Sequence, residues 1–528
     1  MNTLAIIGGG AAGLACAVEA ARCANRRGVP LQVCVYEADE KVGRSILRSG
    51  NGRCNFSNAR IRAWDSEQLA ETYNNGAFVA RVLQELERTA AEVAGAPALA
   101  GVVGSAAPAE ATAPAAAPAA LVAPAAAPDV TGDAGAADAA ASAGVAGSAA
   151  PAASAEDPFG NVENQVLAFF RSLGLAWREE GEGRLYPYAN KAQSLLDVLR
   201  GALAALGVQL RLEAPVAAVE PPRESGGAVT LRMADGSFQR AGQVVVAVGG
   251  TVAQGLLGAA AEFVPTRPVL GPLAALPAFE EHAQAGDAAR AEQPAAKKRV
   301  KGKGKRKQAD AAAQPASPVL NSLDNIRVRC RISLMRPDAE GRFVPVAEEQ
   351  GEVLFRKYGL SGIAVFNLSR FARPGDRLLV DLAPGASVSQ VADWVSGRWS
   401  GAQPDGVRLG AQAALQGFLL PNVARAVCKA AGVHPEAAAG PREAQQLAQA
   451  AKALAFCVQG IGDARQCQVR RGGVNVAQVS PRTLQLEGAP SIRVVGEALD
   501  VDASCGGYNL HWAWASGLLA ARCAVAAL

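Results

Sequence analysis

The chain has 528 residues, half of them hydrophobic, enough for a large buried core and, at ordinary domain sizes, roughly two to four domains. Its formal net charge of +4 is small for that length, so bulk charge points to neither a nucleic-acid-coating nor a membrane-surface protein. Ten scattered cysteines show no Cys-x-x-Cys spacing, and His282, His434 and His511 stand far apart. That pattern reads as the reduced thiols of a cytoplasmic protein, with no disulfide framework and no histidine metal site.

The first ten residues lack a basic leader and turn glycine-rich at once, which reads as a buried strand rather than a signal peptide. Residues 4–7 predict a strand, 13–26 a helix and 31–36 a second strand. From 96 to 157 alanine, proline and glycine dominate; prolines recur too often for a helix and large apolar residues are too few for a core, so this reads as a disordered insertion. Residues 164–173 and 192–206 predict amphipathic helices, and 208–212, 229–233 and 244–248 predict strands. The uncharged stretch 243–261 opens as a β-branched run and continues glycine-rich, which suits a core strand and turn better than a membrane span. Residues 280–317 form a second low-complexity segment around KKRVKGKGKRK at 297–307. Its eight like charges repel and stay solvated; the sharper alternative, an anion or nucleic-acid contact, lacks interleaved aromatics to stack bases. Residues 326–334 and 377–382 predict strands of a separate antiparallel unit, 388–458 is mostly helical, 492–495 predicts a strand and 509–524 a last helix.

The first chemistry-bearing motif is LAIIGGGAAGLACAVEAA. A short apolar strand runs into Gly8-x-Gly10-x-x-Gly13 and a helix follows. The first glycine permits the tight turn, the second lets a pyrophosphate approach the backbone, and the third lets helix and strand pack closely. Ala12 lies inside the same turn, and the helix N-terminus offers free N–H groups to phosphate oxygens. The second strand ends in Glu37, placed as the acid that bonds an adenosine ribose. Gly43, Arg44, Asn51, Gly52, Arg53 and Cys54 follow in a run of closely spaced small residues that suits backbone pressed against a flat ligand.

The run GRSILRSGNGRCNFSN from Gly43 resembles the signature of the YhiN/BaiN-type flavoprotein family, whose members are NAD(P)/FAD-dependent or aminoacetone-oxidase-family FAD-binding enzymes. GEALDVDASCGGYNLHWAWASG from Gly496 resembles that family's second signature, and GRLYPYANKAQSLLDVL, LSGIAVFNLS and GGVNV are further matches. The resemblance spans nearly all of the chain outside the two low-complexity segments. It implies an α/β fold: a Rossmann-type FAD-binding domain built from both chain ends, with an inserted β-rich, barrel-like domain and a helical domain. The expected division is 1–95, 158–265 and 469–528 for the FAD-binding domain, 266–384 for the β-rich domain and 385–468 for the helical one.

The resemblance also implies residue roles. Gly8, Gly10 and Gly13 hold the pyrophosphate, Glu37 the ribose, and Val216 touches adenine through its backbone. Ala247, Gly249 and Gly250 form the turn after the returning strand. Gly496, Glu497 and Asp500 meet the ribityl chain or a nearby phosphate, and Gly506, Gly507, Tyr508 and Asn509 lie against the flavin ring. The chain departs from the family pattern at Arg356-Lys357, at Ile363 and at Arg470 or Arg471, changes expected to fall in the substrate cleft.

Three residues are candidates for chemistry. Cys54 could be a redox thiol, or a small residue packed near the flavin. Arg53 could bind substrate or a flavin oxygen, or sit in a structural ion pair. Tyr508 could stack or donate a proton, or simply pack the helix start. His511 reads as a buried, satisfied histidine. The sequence supports an FAD-dependent oxidoreductase that moves a hydride between a small-molecule substrate, or NAD(P)H, and the flavin. No second glycine fingerprint for NAD(P)H is present, so either a nicotinamide docks transiently over the flavin or the substrate itself reduces it, and both an ene-type reduction and an amine-type oxidation are open. The rivals are an NAD-dependent dehydrogenase without flavin and a flavin-bearing RNA-binding or RNA-modifying protein that uses residues 297–307. Neither a membrane nor a nucleic acid is an expected partner, and no metal is expected.

Overall fold

The computed structural model describes residues 2–94, 160, 162–222, 224, 226–280, 317–399, 409–437 and 440–528. The 96–157 segment, His282 and the basic run 297–307 lie outside them. A six-stranded sheet is ordered Gln485–Leu486, Ala489–Val494, Gln243–Val246, Asn2–Ile7, Leu31–Tyr36, Gln209–Arg211. Every neighbouring pair is parallel except the outermost strand at 485–486. The central strands carry aliphatic runs, LAII and QVVV among them, because helices cover both faces of a parallel sheet and no side of the strand faces water. Strand 2–7 pairs with 243–246, which pairs with 489–494, so both chain ends build one sheet.

The opening helix, Ala11–Arg27, is rich in alanine and buried nearly all round. The closing helix, Tyr508–Ala526, lies against it. Gly517 sets their separation: a Cβ there would stand 2.4 Å from the Ala12 carbonyl oxygen. Farther along, Arg522 donates from Nε to Glu19 Oε1 at 2.8 Å, a buried ion pair that braces the two helices. Phe56, Phe170 and Trp514 fill the space beneath the closing helix with edge-on aromatic contacts.

A two-stranded ribbon, Phe263–Val269 with Val469–Val474, leads into and out of a closed six-stranded barrel. The barrel order is Leu273–Pro277, Gly359–Ser361, Phe343–Arg356, Arg327–Pro337, Arg377–Asp381, Leu454–Ile461. Helices Val388–Trp399, Ala411–Leu415, Pro421–Ala431 and Pro441–Lys452 fall between the last two barrel strands. They share the barrel's core through Val395, Leu415, Val427 and Leu447 against Leu378 and Phe456. The architecture is the expected α/β one, a Rossmann sheet with an inserted barrel and helices.

Two readings of the sequence need correction. Residues 388–458 are helical only to Lys452; Leu454–Ile461 is a strand, held between strands 273–277 and 377–381 and closing the barrel. Strand Phe343–Arg356 has no counterpart among the predicted elements, because its acidic, Gln- and Pro-containing outward face hides the alternation. Across the mouth of the basic segment, Ser317 donates from Oγ to Glu280 Oε2 at 2.6 Å and caps helix Pro318–Leu323. Lys429 Nζ reaches the other Glu280 oxygen at 2.5 Å.

Candidate active site

The glycine turn is as tight as its spacing requires. Gly8 has φ +105°, and a Cβ at Gly13 would lie 1.9 Å from the Gly8 carbonyl oxygen. Ala247 joins this turn, its N–H donating to Ile7 O at 2.8 Å. Glu37 closes the other side: Oε2 accepts from Gly9 N at 2.7 Å and Oε1 from Asp39 N at 3.0 Å. The Glu37 carbonyl accepts from Ala214 N, which brings the chain leading to Val216 alongside the carboxylate. Gly10 begins the opening helix with no side-chain cap and no acid in its first turn, so its free N–H groups point into the turn.

The second signature approaches from the far end of the chain. Gly496, at φ +62°, faces Ala12: a Cβ there would stand 3.0 Å from Ala12 Cβ. The Gly496 N–H donates to Ser516 Oγ at 3.0 Å. Glu497 is exposed, yet the protein packed around its carboxyl pushes its pKa up. Gly249 and Gly250 begin helix Gly250–Leu257 beside it; a Cβ at Gly250 would meet Glu497 O at 3.2 Å, whereas Gly249 faces open space. Asp500 is committed to the scaffold, Oδ1 accepting from Gly472 N at 2.9 Å and from Asn74 Nδ2 at 3.1 Å, and Oδ2 from Asn75 Nδ2 at 3.3 Å.

The closing helix starts at Gly507, φ +94°, again without a side-chain cap. A Cβ at Gly507 would stand 2.2 Å from Ser57 O, which clamps this turn onto the 43–58 signature. Asn58 Nδ2 donates to Gly506 O at 2.9 Å, and Asn509 exchanges hydrogen bonds with the Ala503 backbone, both at 2.9 Å. Beneath, Ser57 Oγ and His511 Nδ1 share a 2.8 Å hydrogen bond; His511 is buried and satisfied, and burial lowers its pKa to about 3. Tyr508 is half-buried, meets Tyr73 edge-on at 6.3 Å, and its carbonyl accepts from Tyr73 OH at 2.9 Å.

The other two candidates for chemistry are tightly engaged. Cys54 is fully buried at φ +59°, and burial pushes its thiol up to about 11. Arg53 pairs with Glu180, donates to Asn190 Oδ1 at 2.5 Å and stacks 4.3 Å over the Tyr186 ring. Nearby, Gly43 N donates to Gly9 O at 2.8 Å, Arg44 pairs with Asp39 at 2.9 Å, and Asn51 and Gly52 take positive φ in an exposed turn.

Several residues of the cleft are absent from the sequence reading. Asp502 is fully buried and bonds two arginines, Arg370 Nε at 2.8 Å and Arg471 Nε at 2.5 Å. Arg267 Nη2 and Arg471 Nη1 both donate to Arg370 O, at 2.5 and 2.9 Å. Burial, aided by the neighbouring Arg471, lowers the pKa of Arg267 and Arg370, and Asp502 works against it. Arg471 is therefore held by Asp502, and Arg356 by Asn325 and Asp324 on the barrel, rather than standing free in a cleft. Arg470 exposes its side chain and gives its N–H to Glu497 Oε1 at 3.2 Å, and Ile363 is exposed at a helix start. Among the described residues no cluster of His, Cys, Asp and Glu could hold a metal, and no helix is long and apolar enough to cross a membrane.

Residues 158–523 match the family described as HI0933-like protein Rossmann domain. The chain belongs to that family. It is an FAD-dependent oxidoreductase. The chain is 25% identical over 544 residues to the 3-dehydro-bile acid delta(4,6)-reductase of Clostridium scindens, covering 99% of each protein. It is 26% identical over 181 residues to the ribosomal RNA dihydrouridine synthase of Escherichia coli, a match covering 33% of this chain and 42% of that enzyme. Among solved structures, the open form of a flavocytochrome c3 fumarate reductase aligns at 12% identity and a TM-score of 0.38, over 99% of this chain and 78% of that one. That likeness is too distant to bear on the argument.

Proposed function

We propose that this HI0933-like protein reduces a C=C bond conjugated to a carbonyl in a small organic substrate, taking its hydride from NAD(P)H by way of FAD. The observation that carries the reading is that helices from opposite chain ends pack side by side, Gly517 against Ala12 and Arg522 on Glu19, and that both begin without a side-chain cap, at Gly10 and at Gly507. FAD supplies hydride transfer when bound. The residues present fit it: at Gly8, Gly13 and Gly507 a Cβ would stand 2.6, 1.9 and 2.2 Å from backbone oxygens, so only glycine allows the tight turns that leave both helix starts bare.

In this reading Gly10, Ala12 and Gly13 present N–H groups to the pyrophosphate, Gly8, whose own N–H is donated to Tyr36 O at 2.8 Å, shapes the turn, and Glu37 turns its remaining lone pairs to the ribose. Val216 lines the adenine end, and Ala247, Gly249, Gly250, Gly496 and Glu497 the middle of the cofactor. Gly43, Arg44, Asn51, Gly52, Arg53 and Cys54 shape the wall, with Arg53 and Cys54 as packing rather than reacting groups. Asp500 supports the cleft through Gly472 and Asn74 instead of touching the cofactor. Gly506, Gly507, Tyr508 and Asn509 place the closing helix's free N–H groups at the pyrimidine edge of the flavin, where negative charge gathers on reduction.

The substrate class follows from the two curated relatives. A 3-dehydro bile acid with delta(4,6) unsaturation and a uridine that becomes dihydrouridine both offer a C=C beside an electron-withdrawing carbonyl. One flavin geometry can serve both. The test is anaerobic: the yellow holoprotein is titrated with NADH and with NADPH, then mixed with conjugated enones. Bleaching by a nicotinamide and recovery of colour with an enone are the expected results. A protein that stays colourless when reconstituted with FAD defeats the reading.

A further inference from the structure

A C=C reduction needs a proton as well as a hydride, and the residues so far placed at the flavin end offer no ready acid. Tyr508 and the Cys505 thiol are both pushed up by burial, Cys505 to about 12. The barrel supplies another group. On strand Phe343–Arg356 the residues at 349, 351, 353 and 355 share one face, from half-buried Glu349 to fully buried Phe355. That face receives helix Ile363–Ser369: a Cβ at Gly351 would meet Ala364 Cβ at 3.6 Å. About one turn beyond Ala364 on that helix is Asn367, 9% exposed.

Asn367 is the link between the barrel and the flavin end. Its Oδ1 accepts from Cys505 N at 2.8 Å, directly before Gly506 and Gly507. Its amide N–H side faces Glu349. Asn367 thus stands between Glu349 and the turn that begins the closing helix. The charged groups that face it are Arg370, from the end of its partner helix, and Glu182, from the tip of the hairpin that carries Arg184. Arg370 is fixed beside the same turn, its Nε donating to Asp502 Oδ2 at 2.8 Å. Burial outweighs Asn367 and Arg370 and raises the Glu349 carboxyl above its usual range.

We propose that Glu349 is the proton donor of the substrate half-reaction, brought over the Cys505–Gly507 turn by the barrel and aimed by Asn367. The proposal rests on the enone reading of the function. Hydride adds to the β-carbon, the C=C π bond opens toward the carbonyl, the Glu349 O–H bond breaks and its proton joins the α-carbon. The two electrons arrive with the hydride, which leaves the cofactor oxidised. The new carboxylate lies near Arg370 and regains its proton from water.

The test uses the full-length holoprotein, reduced anaerobically with dithionite and mixed either with ferricyanide, which needs no proton at carbon, or with a panel of cyclohexenone, uridine and a 3-oxo-4-ene steroid. Glu349→Gln is expected to slow enone-driven reoxidation by about 100-fold or more, the usual worth of a general acid, and to leave the ferricyanide rate unchanged. Glu349→Asp should restore part of the enone rate. The wild-type enone rate should fall as pH rises through the raised Glu349 pKa, and the Gln variant should be flat there. Independently of turnover, infrared spectra of the oxidised holoprotein just above the ordinary carboxylate range should show a protonated-carboxyl stretch that Glu349→Gln removes. An enone rate within twofold of wild type in the Gln variant overturns the proposal and leaves the enone reading standing. A wild-type protein that ferricyanide reoxidises and no member of the panel does overturns that reading and this proposal with it.

Discussion

Cys54 and His511 show how burial at this site decides which side chains can react. A thiol at zero exposure with its pKa pushed to about 11 carries almost no thiolate at neutral pH. Iodoacetamide should therefore leave Cys54 unmodified in the native protein and modify it after denaturation, as read by mass spectrometry, and Cys54→Ala should keep the rate of flavin bleaching. His511 leads to a pH effect with a definite sign. The unfolded chain binds a proton on this imidazole near 6.5, whereas the folded protein does so only near 3. Between those values the unfolded state holds more protons, so stability is intact above about pH 6.5 and is lost as pH falls toward 3. His511→Gln should flatten the fall of the thermal midpoint over that window; an unchanged slope would assign the acid lability elsewhere. The sequence named both residues, yet the burial that sets their chemistry, and the neighbours Ser57 of His511 and Ser49 of Cys54, emerge only from the fold. Glu349 and Asn367 illustrate the same limit. Asn367 falls within the LSGIAVFNLS match but with no sign of its partner, because what joins it to Cys505 is a contact between helix Ile363–Ser369 and the turn before the closing helix.

At the scale of elements, the parts most legible in the sequence are those whose pattern is set locally. Strand 31–36 and helices 165–172 and 192–205 fall where aliphatic alternation and helical periodicity place them. Asn164 caps the second of these as its residue type suggests, accepting from Leu167 N at 3.1 Å. The elements that escape notice depend on distant partners. Leu454–Ile461 is an apolar run that continues a helix on paper; two barrel neighbours make it a strand. The pairing of the opening and closing helices is likewise visible only as glycines in the sequence. Their geometry predicts the consequence of filling them. Gly13→Ala places a methyl 1.9 Å from the Gly8 carbonyl, and Gly517→Ala places one 2.4 Å from the Ala12 carbonyl, both against backbone that cannot swing aside. Each should cost about 1–3 kcal/mol of stability or more. The expected readouts differ: Gly13→Ala distorts the pyrophosphate turn itself and should lower the FAD content of purified protein steeply. Gly517→Ala should lower the thermal midpoint first and flavin content second.

For the whole molecule, the question is whether the basic run at 297–307 belongs to the machine or only interrupts it. Glu280 and Ser317, the described residues on either side of it, are joined by a 2.6 Å hydrogen bond, and Lys429 clamps the same carboxylate. The two chain ends thus meet at a fixed point on the barrel, so a short linker can replace what lies between them without moving any strand. The described residues that flank it, Phe279 before and Leu320 and Leu323 after, pack in the barrel's core and are kept in such a replacement. Replacing residues 281–316 by a short Gly-Ser linker is therefore expected to leave the thermal midpoint, the flavin content and the bleaching rate with a nicotinamide unchanged. The same variant decides the RNA-directed alternative, because eight like charges tracking a phosphate backbone would give RNA affinity that falls steeply with salt. If the parent protein binds RNA with such a salt slope and the shortened one does not, the basic run is a substrate-delivery arm and the small-molecule reading is too narrow. Equal, weak binding by both leaves the proposed small-molecule reading standing and removes the RNA-directed one.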